Sequence, residues 1–255
     1  MLTGILLISL VIFIAVVSYK RPKFEERVIK NIPLVAWLNI LVFPLFFYYG
    51  LVLIVLNIVS RPRVAILDFE DVSLLSVGMI FLIYGFVGLS VHFVGKVLWR
   101  YLKTNKRSKI YAVNEIFHGK LSHYITFVCA YMLIFITALL EINHPLSTKL
   151  PFPYTLAIIV CAITGGFSYA KTIFFTSGWF GGYNKPLFSI TAVLLLVLIN
   201  LYRGNGLKLA YYPINIFAMT LLFTIIWIFV VRQFLIYSKL SKRLRLQFLS
   251  RLLSV

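Results

Sequence analysis

The chain has 255 residues, 61% hydrophobic and 13% charged, with 25 Lys and Arg against 7 Asp and Glu. A charged share near half the ~25% of soluble domains excludes an ordinary water-soluble fold. A net charge of +18 would suit a nucleic-acid binder, but the basic residues stand in short links between long apolar runs, so nucleic acid is excluded as a partner.

The first apolar run covers residues 2–17. No Lys or Arg precedes it, Lys20, Arg21 and Lys23 follow it, and no small-residue cleavage pattern is present. It reads as an uncleaved anchor with its leading end outside, not as a signal peptide. A second run, residues 33–59, carries Pro44, which removes a backbone hydrogen bond and is expected to kink the helix. Further runs cover residues 73–99, 121–140, 154–175, 187–202 and 214–237. A run of about 18 or more apolar residues crosses ~30 Å of hydrocarbon as a helix. The expected fold is therefore all-α: a polytopic membrane bundle of seven spans over residues 1–237. Residues 238–255 form a basic tail in which Leu240, Leu244, Phe248 and Leu252 recur every four residues among Lys and Arg. Such a segment suits an interfacial helix.

Threading the chain through a bilayer at these runs sorts its cations. Residues 20–30 hold five Lys or Arg, 96–120 hold seven, Lys171 and Lys185 make two, and the chain from Arg232 onward holds six. The opposite side has Arg61, Arg63, Lys149, Arg203 and Lys208. An excess of this kind over short links marks the cytoplasmic side. The expected location is a cytoplasmic-type membrane, with the chain's leading end outside and its tail inside. Anionic lipids on the cytoplasmic side are the expected partners.

Chemistry is sparse. Cys129 and Cys161 lie inside apolar runs and suit neither a disulfide framework nor a cysteine metal cluster. Glu25, Glu26 and Glu115 fall in links on the basic side, while Asp68, Glu70, Asp71 and Glu141 lie outside or at the outer edge of a span. No carboxylate is expected in the middle of any span, where proton pumps and ion-coupled transporters usually need one. Span seven lacks both lysine and histidine, which removes a retinal Schiff base and a zinc centre in that helix. No catalytic constellation is found and no cofactor is expected.

The remaining polar residues gather at one depth. In span three, Gly78, Gly85, Gly88, His92 and Gly95 share one helical face, and small residues let helices approach closely. Span four enters through Glu115, His118, Ser122 and His123. In span five, Ser168 and Lys171 end a polar stripe on the same side. His92, His118, Ser122, His123, Ser168 and Lys171 are thus the candidate ligand-binding residues of a cytoplasm-facing pocket for a small anionic or lipid-like molecule. Gly78, Gly85, Gly88 and Gly95 are the candidate helix-packing residues. A second reading is a structural or assembly subunit, a homo-oligomer or membrane partner packing on that glycine stripe. A third uses His92, His118 and His123 for haem or a metal, although no HExxH pattern is present. The segment from Ser177 to Asn184 is rich in glycine and aromatics and reads as a surface or re-entrant loop, matching no phosphate-loop pattern.

Overall fold

The computed structural model describes residues 1–19, 27–175 and 184–253. The glycine-rich segment from Ser177 to Tyr183 and the charged residues from Lys20 to Glu26 lie outside the described residues. The fold is a helical bundle: α1 (Leu2–Tyr19), α2 (Leu34–Val59), α3 (Asp71–Leu102), α4 (Lys109–Ile142), α5 (Phe152–Phe175), α6 (Asn184–Gly204), α7 (Pro213–Ser238) and α8 (Lys242–Leu253). Six of them, α2 to α7, are long and apolar enough to cross a membrane, and α1 is a shorter apolar helix over Leu2–Val17. Large apolar side chains such as Leu45, Ile83, Trp227 and Phe234 stand exposed around the bundle. A belt of that size would be an aggregation surface in water and is an ordinary surface in lipid.

A two-residue hairpin precedes α2, with Val28 opposite Pro33 and Ile29 opposite Ile32. Its central residues, Lys30 and Asn31, have φ of 48° and 64°, the left-handed pair that a type I′ turn requires. Within α2, residues Leu38–Val42 form a wide π turn just ahead of Pro44. The proline ring crowds the carbonyl four residues back and offers it no N–H, so the helix opens there.

Two ends differ from the sequence expectation, for one reason. Helix α3 runs on to Leu102, and α4 starts at Lys109 instead of near residue 121. Residues 109–120 are too polar to read as a span, yet they fold as an amphipathic extension. Ser108 caps it, its side chain accepting from the Tyr111 N–H, and Asn114 and His118 are buried against α3. Glu115 and His118 therefore stand on a helix and not in a link. A second π turn, Ile116–Leu121, joins this extension to the body of α4.

The buried core lies where α5 meets α7 and α1, with α2, α4 and α6 around it, and includes Ile5, Ile8, Ile158, Ala162, Leu198, Leu221 and Ile225. Backbones approach closely at small residues. A Cβ on Gly4 would meet the Gly50 carbonyl at 2.6 Å, and one on Gly166 would meet the Leu221 carbonyl at 2.8 Å. Helix α3 stands apart: only Leu74, Gly88, Gly95 and Lys96 of its residues are buried, and α4 is its main support.

Consecutive helices run in opposite directions, so the bundle has two poles. At one, the Arg61 guanidinium after α2 bonds Met1 Sδ at 3.1 Å and Glu141 Oε1 at 3.0 Å. Glu141, expected only at the outer edge of its span, is fully buried there. Its Oε2 accepts from the backbone N–H groups of Ile214 and Asn215 at 2.8 and 3.0 Å, and from Asn215 Nδ2. A carboxylate at the start of a helix meets both free N–H donors and the positive end of the helix dipole. His144 bridges the Arg61 carbonyl and Asp71 Oδ2, and the Asn143 side chain clamps the backbone of Ile66 and Leu67.

Candidate functional site

The opposite pole holds the candidate site. His92 on α3 and Lys96 one turn later face α4, because Gly88 and Gly95 remove the side chains that would hold the helices apart. A Cβ at Gly95 would lie 2.5 Å from His118 Cβ, and one at Gly88 would lie 2.7 Å from Thr126 Oγ1. Gly85 and Gly78 have only ordinary contacts, with Cys129 and Ile136 on α4. Gly88 and Gly95 are thus covered by α4 of the same chain, while Gly78 and Gly85 are only partly covered.

Three imidazoles meet here. The His92 ring centroid lies 4.7 Å from that of His118 and 4.7 Å from that of His123, and the last two are 6.1 Å apart. The π turn supports this grouping. It widens the helix between Glu115 and Ser122, and the His118 carbonyl receives the Ser122 hydroxyl at 2.6 Å and the His92 ring as well. The ring series continues through Phe127 to Tyr169 on α5 and then to Tyr131.

A cavity of about 1090 Å³ opens beside the histidines, just above the ~300–1,000 Å³ common for small-molecule sites. Five helices line it. Its polar end carries His92, Lys96, Glu115, His118, Lys120, His123 and Lys171; Val11, Ile12, Phe43, Phe47, Leu82, Leu89 and Leu133 line its apolar remainder. From Lys96 back to Leu82 is about 20 Å of helix at ~1.5 Å per residue, so the cavity reaches from one pole well into the apolar zone. Both π turns border it, through Asn39 on α2 and through Ile116, His118, Gly119 and Lys120 on α4. Interruptions of this type recur at functional positions.

Of the residues selected from sequence, His92, His118, His123 and Lys171 share this cavity. Ser122 and Ser168 do not line it: both are buried, and the Ser122 hydroxyl is used by its own helix. Lys96, Glu115 and Lys120 line the cavity as well; in the sequence Glu115 stands out only through its three-residue spacing from His118, which suits a metal-ligand pair. Lys96 is seldom the kind of residue buried so fully, and Glu115 reads as a link residue until the extension of α4 is known. Three atoms at the polar end are buried without a hydrogen-bond partner among the described residues: His92 Nδ1, His118 Nε2 and Glu115 Oε1. Such groups are uncommon because an unmet buried donor or acceptor costs about 1–3 kcal/mol.

The imidazoles do not suit haem as arranged. Axial ligands approach an iron from opposite faces of the macrocycle, and rings in van der Waals contact leave no slot for it. Among the described residues, no group of three or more His, Cys, Asp or Glu is placed to hold a metal ion.

Fold and site together define a helical bundle of the multi-pass membrane type, with a deep apolar cavity whose polar end is rich in histidine and lysine. No known protein family, curated protein or solved structure matches the chain.

Proposed function

We propose that this protein binds an amphiphilic molecule with an anionic head, a lipid or lipid-like compound, and holds or moves it within the membrane. The observation that carries the reading is the polarity gradient of the cavity, with cations and imidazoles at one end and aliphatic and aromatic walls over the rest. An anionic head gains charge-assisted hydrogen bonds from Lys96, Lys120 and Lys171, and a hydrocarbon tail gains burial at about 25 cal/mol per Å² of apolar surface. The excess of Lys and Arg at this pole orients it toward the cytoplasm, where anionic lipid heads are abundant.

The test is lipid retention by the full chain purified in mild detergent and measured by native mass spectrometry. The wild type should carry a phospholipid or fatty-acid adduct, and a His92→Leu/Lys171→Leu variant of equal thermal stability should lose most of it. Equal retention by the two proteins would overturn the proposal.

A further inference from the structure

We infer that the head held at the polar end is dipolar, a phosphate joined to a primary ammonium, with Glu115 as acceptor for the ammonium. This rests on the amphiphile reading above and specifies its substrate class. The cavity's polar end is not uniformly cationic: Glu115 shares its lining with Lys96, Lys120 and Lys171. Glu115 Oε1 is buried and has no hydrogen-bond partner among the described residues, and it forms no ion pair with them. A carboxylate left in that state is an acceptor awaiting a donor.

Each alternative head fits less well. A purely anionic head would bring a second negative charge to the partly buried Glu115, and like charges repel. A quaternary ammonium has no N–H to donate and is usually held by an aromatic cage. Trp99, the indole at this end of the cavity, already has the Lys96 and Lys103 ammonium groups over its ring at 5.3 and 5.7 Å. A primary ammonium donates to Glu115, and its remaining N–H groups suit the bare Nδ1 that His92 keeps while its other ring nitrogen donates to the His118 carbonyl; the phosphate meets the lysines. His92 Nδ1 and Glu115 Oε1 then each have a donor.

The test compares single-chain probes with the purified full chain in dodecyl maltoside, by calorimetry or native mass spectrometry. The probes are lysophosphatidylethanolamine, lysophosphatidylcholine and lysophosphatidylglycerol, with chainless glycerophosphoethanolamine as the fourth. The ethanolamine lipid should bind about tenfold or more tighter than the other two lipids, the value of one charge-assisted hydrogen bond. Glu115→Gln should abolish that preference and leave glycerol-lipid binding unchanged or stronger. Wild-type protein binding the glycerol lipid as tightly as the ethanolamine lipid would overturn the inference and leave the amphiphile reading standing, and this arm needs no variant to fold. Undiminished preference in a Glu115→Gln protein would overturn it equally. Chainless probe binding as tightly as its lipid would support the head assignment while removing the amphiphile reading. No binding of any of the four would remove both.

Discussion

At the scale of single residues, the two buried ionic groupings do different work. Arg61 and Glu141 form a closed arrangement in which every charged oxygen of Glu141 has a donor. Breaking a buried pair by removing one partner costs about 3–5 kcal/mol, but the two removals are not equivalent here. Arg61→Met leaves Glu141 still serving the N-terminus of α7. Glu141→Ala strands the Arg61 charge and two helix N–H groups together. Thermal unfolding in detergent should therefore show a larger loss for Glu141→Ala than for Arg61→Met, and the reverse order would refute this account of the pole. At the histidine pole the bookkeeping is left open instead, with His92 Nδ1, His118 Nε2 and Glu115 Oε1 unmet among the described residues. A satisfied network stiffens a fold, whereas open donors and acceptors beside a cavity are what a ligand requires.

Among the helices, α3 is the element on which the site depends most. It carries His92 and Lys96 but has little support except α4, and the closeness of the two is set by Gly88 and Gly95. Adding one methyl at a tight contact costs typically ~1–3 kcal/mol. Gly95→Ala should lower the unfolding midpoint in detergent and weaken probe binding, because His118 must move. Gly78→Ala, which meets only Ile136 at 3.6 Å, should leave both near wild type. Equal effects of the two would mean that the stripe does not position the histidines. The stripe itself was legible in the sequence as spaced glycines. Which of its members are tight was not, because that depends on how α4 is rotated, and the π turn at Ile116–Leu121 sets the rotation. Nothing in the local sequence marks that turn except Gly119, a residue that weakens any helix.

Across the whole molecule, alternating helix directions separate a pole built on Arg61 and Glu141 from one built on three histidines. The proposed orientation, with the histidine pole toward the cytoplasm, makes links on the two sides differ in access from outside the cell. Cys129 and Cys161 are buried, so introduced thiols report alone. In intact cells a membrane-impermeant maleimide should label Ser147→Cys, in the link after α4, and should label Thr104→Cys, between α3 and α4, only after permeabilisation. Labelling of both from one side would overturn the alternation, and exchanged sides would overturn the orientation alone.

The class of fold is written along the chain, because hydrocarbon demands long apolar helices and these show as runs, although the run at residues 121–140 does not reveal that α4 begins at Lys109. The sequence also marked the residue types at the polar pole, since His92, His118, His123 and Lys171 stand out against so apolar a background. Tertiary structure alone decided that three imidazoles touch, that Glu115 joins them on a helix, and that Glu141 is sealed in the opposite pole. Those outcomes turn on helix rotation and close backbone approach, which arise between elements distant in the chain and leave no periodic trace along it.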